Sequence, residues 1–456
     1  MSEFEDRLRR ALHEYVDEPG PVELTNRIDD RIRQRHQRRR RAGWGSLGVA
    51  VAALLVIGLI AFVGGSDQTL HVVVPPAGGG GTVASPVVPP SPGSTGVDVL
   101  DLTWISPTDG WLLGTPAQCS QPGCPALILT TNDGGQSWHE AAAPALACTQ
   151  AAGDLCPVDD IGGIRFATTQ VGYLYGGQYG TQFYMTTDGG LTWVQQTGPQ
   201  VLALEAMDGT AIRVIDAGTG CPGPCSVQVE EAPAGSSTWK VVLGKVLPGS
   251  ATGSVSRVQL ARQSGGDVYL AVYGNPASGA GNQEASLYVS HDGGATWSDK
   301  PDPCAASAGG AATPASGEVD AIQMSSAPNG TLAMLCAVRD SGQDSVAVST
   351  DGGETFGPRQ QAPQGEAFGV ASPATLFVSS GTTLQASFDG GAHWATVATD
   401  PNGTSLGTAF PAAQAGGVSP FLGFESATTG RWADEDQTVW TTNDGGHTWT
   451  PSPVSS

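Results

Sequence analysis

The chain has 456 residues, a length that suits a repeat-built domain or several domains better than one ordinary compact domain. Its 64 glycines and 32 prolines favour short strands joined by turns over helical packing. Residues 1–43 carry eleven Arg against nine Asp and Glu, whereas the remainder carries ten Lys and Arg against thirty-four Asp and Glu. Because an acidic domain repels phosphate backbones, this balance excludes nucleic acid as a partner of the larger part.

The N-terminal residues 1–43 predict a short helical segment, since Phe4, Leu8 and Leu12 recur at helical spacing. The segment ends in an arginine-rich run that includes Arg38–Arg41. Such a run next to an apolar segment favours a role in membrane topology and contact with anionic lipid. A cytoplasmic regulator that binds residues 1–43 is a further possible partner, and the chain would then act as a transmembrane sensor.

Residues 44–63 contain no charged side chain and predict a transmembrane helix. At about 1.5 Å per residue, twenty residues span about 30 Å, the thickness of a bilayer core. The arginines precede this span, so the positive-inside rule leaves the N-terminus in the cytoplasm and sends the C-terminal part outside. A cleaved signal peptide is the alternative, but it requires a much shorter leader. We therefore expect a single-pass cell-membrane protein in which the Pro/Gly-rich residues 64–97 form a tether.

Residues 98–456 repeat the pattern x-x-Asp-Gly-Gly-x-Ser/Thr-Trp, here called the box. One copy ends in Phe, one has His393 where Ser or Thr is expected, and a worn copy has Ala234 in place of the aspartate. The aspartate can accept N–H bonds across a tight turn, the glycines supply positive φ, and the Trp can fill the gap between neighbouring sheets. The box residues with these structural roles are Asp133, Trp138, Asp188, Trp193, Trp239, Asp292, Trp297, Asp351, Phe356, Asp389, Trp394, Asp444 and Trp449.

Three strand-like runs precede each box and one follows it, so each repeat has four strands. The box aspartates, with Ala234 counted as the missing one, are 38 to 59 residues apart, which suits a four-stranded blade. The sequence therefore predicts an all-β, seven-bladed β-propeller over residues 98–456. Abundant Ala and Gly, with eighteen Arg against three Lys, indicate a bacterium of high genomic GC content.

The box copies, with the upstream motifs Ser106–Trp111 and Ser426–Trp432, resemble bacterial-neuraminidase (Asp-box, BNR) repeat proteins. The likeness is closest to the propellers that include photosystem assembly-factor-like and exo-α-sialidase-like proteins, and it covers about 360 residues. The resemblance implies the fold, but such propellers include hydrolases, glycan binders, receptors and assembly factors.

A sialidase-like enzyme would need three arginines that converge on a carboxylate, a Tyr/Glu nucleophile pair and an acidic proton donor. Arg165, Arg257 and Arg339 could point toward the propeller axis, but no Tyr/Glu pair is recognisable in the sequence. We therefore predict no catalytic residues, no metal site and no cofactor, and we favour a non-catalytic interaction or assembly module. A surface glycoside hydrolase of the exo-α-sialidase-like type is the alternative.

All eight cysteines lie beyond residue 118, on the predicted outer side of the membrane, which indicates disulfides in an oxidising compartment. A metal site is the alternative, but the sequence lacks the features that would favour it: it has no Cys-x-x-Cys motif and no histidine beside the cysteines. Other pairings are open, and the sequential one is based on loop length. That pairing joins Cys119 to Cys124, Cys148 to Cys156, Cys221 to Cys225, and Cys304 to Cys336.

The connections between strands predict which face binds a partner. Those between strands 1 and 2 are short and alike and share a face with the box turns, whereas the 2–3 and 4–1 connections are long and dissimilar. Variable loops on a rigid scaffold are where binding usually resides, so we expect an extracytoplasmic protein or glycan ligand there. The candidate binding residues are Tyr175, Tyr179, Tyr273, Asn275, Asp159 and Asp160.

Overall fold

The computed structural model describes residues 96–117, 126–144, 161–176, 181–218, 226–246, 254–275, 284–305, 319–338, 343–365, 367–380, 382–400, 421–433 and 438–455. These residues form 28 strands in seven antiparallel sheets of four strands each. Within every sheet the strands pair in chain order, so each blade is built from one continuous stretch of chain.

The first four blades comprise sixteen strands. Their bounds are as follows: blade 1, β1 Val97–Trp104, β2 Gly110–Pro116, β3 Leu127–Thr131 and β4 His139–Ala141; blade 2, β5 Gly163–Phe166, β6 Gly172–Tyr175, β7 Phe183–Thr186 and β8 Val194–Gln195; blade 3, β9 Val201–Met207, β10 Thr210–Asp216, β11 Val227–Pro233 and β12 Lys240–Val246; blade 4, β13 Ser254–Arg262, β14 Val268–Asn275, β15 Glu284–Ser290 and β16 Ser298–Lys300.

The last three blades comprise twelve strands. Their bounds are as follows: blade 5, β17 Val319–Ala327, β18 Thr331–Val338, β19 Asp344–Ser349 and β20 Gln360–Ala362; blade 6, β21 Ala367–Ser372, β22 Thr375–Ser379, β23 Thr383–Ser387 and β24 Ala395–Thr399; blade 7, β25 Phe421–Phe424, β26 Gly430–Ala433, β27 Thr438–Thr442 and β28 Thr450–Pro453.

The first strand of each blade is the innermost. From β1 through β25, each first strand contacts the first strand of the next blade, so these strands surround a common axis. The prediction of a seven-bladed propeller with four-stranded blades is confirmed, and β1 begins at Val97, one residue before the predicted boundary.

The box of blade 2 shows how the repeated residues close a turn. Thr186 Oγ1 donates to Asp188 Oδ1 at 2.8 Å and accepts the N–H of Gly190 at 3.0 Å. The two carboxylate oxygens of Asp188 accept the backbone N–H and the hydroxyl of Thr192, at 2.9 and 2.6 Å. These bonds to the charged form lower the pKa of Asp188 to about 2, with the Thr192 hydroxyl as the largest cause. Gly189 and Gly190 have φ of 78° and 93°, a region that favours glycine.

The same bonds recur in blades 1, 4, 5 and 7, and the boxes of blades 3 and 6 depart from the pattern. In blade 6, His393 Nδ1 lies 2.6 Å from Asp389 Oδ2 and takes the place of the hydroxyl. In blade 3, where Ala234 replaces the aspartate, the N–H of Gly235 donates to Tyr173 Oη of blade 2 at 2.8 Å. The N–H of Thr238, whose equivalent donates to the aspartate in the other boxes, donates instead to Ser236 Oγ of the same box at 3.0 Å.

Each box turn is joined to the strand 1–2 turn of its own blade by a backbone hydrogen bond. In blade 1 the N–H of Gly134 donates to the carbonyl of Thr108 at 3.0 Å, and in the worn blade 3 the N–H of Ala234 donates to the carbonyl of Gly209 at 2.8 Å. The equivalent bond occurs in all seven blades. Both kinds of turn therefore lie on one face, the box face. Since strand direction alternates, the 2–3 and 4–1 connections leave from the opposite face, the loop face.

Seven hydrophobic clusters fill the seven gaps between blades. Each cluster includes the box aromatic of the later blade and strand residues of the earlier blade, as predicted. The aromatic residues and the blades between which they pack are Trp138 (7 and 1), Trp193 (1 and 2), Trp239 (2 and 3), Trp297 (3 and 4), Phe356 (4 and 5), Trp394 (5 and 6) and Trp449 (6 and 7).

The ring closes through side-chain and backbone contacts between blades 7 and 1. The guanidinium of Arg431, whose side chain is 1% exposed, donates to the carbonyls of Gly134 and Pro107 of blade 1, each at 2.9 Å. It also lies 4.0 Å from the ring centre of Trp104. Arg431 therefore binds both turns of blade 1 on the box face.

The two ends of the propeller meet at this same interface. Gly96 and Ser455 form an antiparallel bridge, and Val454 is buried in the cluster that blades 7 and 1 share. The last residues of the propeller thus pair beside the start of β1, and no strand passes from one blade to another.

Glu425, in the strand 1–2 turn of blade 7, should make ring stability depend on pH. Burial raises its pKa from 4.5 to about 7, and Arg431, 3.4 Å away, only partly opposes this shift. The folded state therefore holds a proton that the unfolded state releases, and the stabilisation present below pH 4.5 is lost as the pH rises through about 7.

We expect Glu425→Gln to remove this dependence, because glutamine resembles the protonated acid. At pH 8 the variant should exceed the native chain in unfolding free energy by up to about 3 kcal/mol, and the two should coincide near pH 4.5. Denaturant unfolding at several pH values measures the difference. Parallel pH profiles for the two proteins would contradict the prediction.

Cys304, after blade 4, and Cys336, in β18 of blade 5, form a disulfide with a Cα–Cα distance of 5.5 Å, as predicted. Both side chains are fully buried in the cluster shared by blades 4 and 5. The other three predicted disulfides, Arg339, and the predicted segments 1–43 and 44–63 with most of the tether lie outside the described residues. Within the described ranges, no helix has the length and apolar character needed to cross a membrane.

Candidate functional site

A polar cavity of about 180 Å³ lies among the innermost strands of blades 2 to 5. These strands are β5, β9, β13 and β17, and the cavity therefore lies at the inner side of four successive blades. Its lining residues are Arg165, Tyr175, Leu202, Ala203, Leu204, Glu205, Val258, Gln259, Leu260, Ala261 and Met324.

Arg165 links three blades at one side of this cavity. Its Nη1 donates to Asp101 Oδ2 of blade 1 at 2.6 Å, and its Nε donates to Glu205 Oε1 of blade 3 at 3.0 Å. Asp101 Oδ2 also accepts the N–H of Ile164 at 2.9 Å. Burial raises the pKa of Glu205, although the adjacent Arg165 opposes this shift. A half-buried cation held between two carboxylates fixes the relative positions of blades 1, 2 and 3.

Tyr175 lies at the end of β6 beside this ion-pair network. Its ring covers Gly163, where a Cβ would lie only 2.2 Å from the ring carbon that bears the hydroxyl, so only glycine fits there. Burial raises the pKa of Tyr175 far above its usual range, and the positive charge of Arg165 lowers it only in part. The phenol therefore stays protonated at neutral pH.

Gln259 links blades 4 and 5 on the other side of the cavity. Its Oε1 accepts the hydroxyl of Tyr273 at 2.6 Å and the N–H of Met324 at 2.8 Å. The guanidinium of Arg257 lies 4.4 Å from the ring centre of Tyr273. This set of contacts repeats the arrangement around Asp101, in which a polar side chain on one inner strand accepts an N–H from the next.

The structure corrects two of the sequence-predicted binding residues. Tyr175 and Tyr273 were expected on exposed loops, but they lie inside β6 and β14 and are 8% and 0% exposed. Strand β14 continues to Asn275, and alternation places Tyr273 on the same buried side as Tyr269 and Ala271. Asn275 is the last residue of β14, and the remaining candidates Tyr179, Asp159 and Asp160 lie outside the described residues.

The arginines of the described blades serve mainly as contacts between blades. Of the six within the described residues, all except Arg257 touch an adjacent blade or the link leading to it. Their contacts are Arg165 to Asp101 and Glu205, Arg213 to Phe183, Arg262 to Thr210, Arg359 to the carbonyl of Cys304, and Arg431 to Gly134 and Pro107. These contacts lie at different interfaces, so the five side chains do not converge on one carboxylate site.

The sequence interpretation missed Glu205 and Gln259, which line the cavity, and Asp101, which binds Arg165 beside it. Glu205 is the one charged residue in β9, which is otherwise apolar, and this contrast is the sequence pattern that could have identified it. Tyr175 and Glu205 also line the same cavity, although no Tyr/Glu pair was recognised in the sequence. Among the described residues, no group of three His, Cys, Asp or Glu side chains could hold a metal ion.

Comparison with known proteins identifies the repeat. A family model for the BNR/Asp-box repeat matches residues 288–299. Solved structures that the chain resembles include YCF48 bound to D1 peptide (18% identity, 80% of this chain and 95% of that chain, TM-score 0.43) and YCF48 from Cyanidioschyzon merolae (16%, 80% and 97%, 0.42). The GH74 enzyme of Niastella koreensis is also similar (13%, 79% and 66%, 0.35). No curated protein sequence matches the chain.

Proposed function

Since this chain is a β-propeller built from BNR/Asp-box repeats, we propose that it is a non-catalytic interaction module that binds a protein or glycan through its loop face. In this proposal residues 44–63 anchor the propeller to the cell membrane and leave it on the extracytoplasmic side. The cytoplasmic residues 1–43 remain available to a second partner.

The observation that supports this proposal best is the difference between the two faces. On the box face, all seven blades use the same turn-to-turn hydrogen bond, and every strand 1–2 turn is short, with two to five residues. The connections that leave from the loop face vary from the three residues between β22 and β23 to the twenty-one between β24 and β25. The uniform turns of the box face serve to hold the blades together, whereas the variable connections of the loop face can match the shape of a particular ligand.

The axial cavity favours binding over catalysis. Arg165 is held between Asp101 and Glu205, and a guanidinium engaged in this way has fewer free donors for a substrate carboxylate. A tyrosine nucleophile needs a lowered pKa or an adjacent base, and burial raises the pKa of Tyr175 instead. The presence of Tyr175 and Glu205 in one cavity nevertheless keeps an exo-α-sialidase-like hydrolase as the second candidate.

A glycan array combined with a panel of fluorogenic glycosides separates the two functions. We expect the full-length chain to turn over none of the glycosides. If it binds a glycan on the array, the ligand is a glycan. If it binds none, the ligand is a protein. Turnover that Tyr175→Phe and Glu205→Gln each reduce by about a hundredfold or more would overturn the proposal and establish the enzyme.

The loop face is tested by exchange of one of its connections. Residues 403–418 are replaced by a Gly/Ser sequence of equal length, so that Asp400, which accepts the indole N–H of Trp440, is kept. We expect this exchange to weaken ligand binding. The control carries serine at two exposed box-face positions, Gln136 and Ala392, and should bind normally. Loss of binding in the control alone would show that the faces are assigned the wrong way round.

A further inference from the structure

The outer strand of blade 3 differs from the outer strands of the other blades. Strand β12 has seven residues, whereas the other outer strands have two to five. Its pairing with β11 contains two register shifts, which add residues to β12. Because β12 is the last strand of its sheet, one row of its backbone N–H and C=O groups has no strand partner among the described residues. Propellers usually leave only short edges, and this edge is longer.

The side chains of β12 divide between anchoring and exposure. Val242 and Leu243 pack against the cluster that blades 3 and 4 share, and they hold the strand in place. Val241 is 46% exposed and Lys240 is exposed. A Cβ at Gly244 would meet no atom within 4 Å, so the space beside the strand is open there. The edge is therefore fixed, accessible and partly apolar.

Exposed apolar side chains concentrate on this side of the ring. Four large hydrophobic residues are exposed in the described blades, and three of them lie on blades 2 and 3. These three are Leu191 at 72%, Val194 at 60% and Val241 at 46%. Blades 2 and 3 are successive blades, so these three exposed apolar side chains belong to one part of the ring.

The charge of β12 is opposite to that of the domain. Lys240 and Lys245 are two of only three lysines in the chain. The residues after position 43 carry ten basic and thirty-four acidic side chains, a net charge of 10 − 34 = −24. A basic strand on an acidic body attracts an acidic ligand to that one edge.

We propose that β12 binds an extended, acidic segment of another protein as a fifth strand of blade 3. Main-chain hydrogen bonds to the open row would supply affinity, and Val241 and Lys240 with the basic charge of the strand would supply selectivity. A second copy of this chain fits poorly, since pairing β12 with itself brings two strands of the same basic charge and two acidic bodies into contact. The site lies at the outer edge of a blade, so it does not depend on the loop-face assignment.

The test uses a synthetic peptide of alternating residues, Glu-Val-Thr-Val-Glu-Val-Thr-Val-Glu, with a fluorescent label and the full-length chain. Anisotropy should show saturable binding that weakens as salt rises. Lys240→Glu/Lys245→Glu should weaken binding about tenfold or more. A matched control, Gln360→Glu/Gln361→Glu on the outer strand β20 of blade 5, should change affinity by less than about twofold. Hydrogen exchange should show new protection of the β12 amides.

Two altered peptides separate strand addition from simple charge attraction. A peptide with Lys in place of Glu should bind much more weakly, and an acidic peptide with alternate backbone nitrogens methylated should lose binding because it cannot complete the ladder. The proposal is overturned by equal binding of the methylated peptide, by binding without protection of β12, or by the absence of saturable binding up to about 1 mM. Dimers of the unliganded chain that Val241→Lys abolishes would also overturn it, because β12 would then pair with a second copy.

Discussion

Replacement of Arg431 by methionine is expected to lower the free energy of unfolding by about 3–5 kcal/mol. Arg431 is 1% exposed, binds two carbonyls of blade 1 and lies over the ring of Trp104. Its removal leaves the carbonyls of Gly134 and Pro107 without this donor and leaves Glu425 without its cation. The loss should therefore exceed that of an ordinary surface ion pair.

Urea unfolding of the native chain and of three variants measures this effect. Arg431→Lys should be little more stable than Arg431→Met. A guanidinium has several donors in a fixed planar arrangement, whereas a single ammonium group cannot reach two carbonyls and a carboxylate at once. Arg359→Met is the matched control, since Arg359 makes one hydrogen bond, to the carbonyl of Cys304, and should cost much less. Hydrogen exchange in Arg431→Met should rise first in β1 and β28. Uniform exchange, or a cost equal to that of Arg359→Met, would contradict a role in ring closure.

Removal of the Cys304–Cys336 disulfide by a double alanine substitution should also have a large effect. The bond closes a loop across a sequence separation of 32 residues, and loop-closure entropy predicts a loss of about 3–4 kcal/mol. Blade 4 should then separate more easily from blade 5. Two ion pairs also join these blades, Lys300 to Glu354 at 2.6 Å and His291 to Glu354 at 3.3 Å, and they contribute less because Glu354 is exposed.

The effect of a reducing agent provides the control for this prediction. Reductant should lower the melting temperature of the native chain, and the double alanine variant should be less sensitive to it because this bond is already absent. Exchange of the amides in β16 and β18 should increase in the variant more than exchange in β1. An unchanged melting temperature in the double alanine variant would show that the packed cluster alone holds the two blades together.

The fold could be predicted from the sequence because the information for each blade is local. A box closes its turn with hydrogen bonds among residues at most four positions apart, as between Thr186, Asp188 and Thr192, so its pattern survives in the sequence as a fixed spacing. The aromatic residue that ends each box was likewise predictable as a filler between sheets. Even the worn box of blade 3 could be placed from the interval between its neighbours.

The axial cavity could not be predicted in the same way, because its contacts join residues far apart in the chain. Asp101 and Arg165 are separated by 64 positions and Arg165 and Glu205 by 40, and only ring formation brings them together. The errors at Tyr175 and Tyr273 have a local cause. Both tyrosines lie near the ends of second strands, β6 and β14, whose side chains are buried on both faces between neighbouring blades, so that nearness to a loop does not expose them.

The box aromatic of each blade packs against the preceding blade of the ring, and this direction of packing affects how the chain folds during synthesis. Six of the seven aromatic residues pack against a blade that has already been made, so blades 2 to 7 can dock one after another as they emerge. Trp138 is different, since its partners Ala433, Val439 and Val454 belong to blade 7 and the residues after it, and are translated after the other six blades. The first blade therefore keeps one apolar side open to solvent, or to a chaperone, until blade 7 has been made.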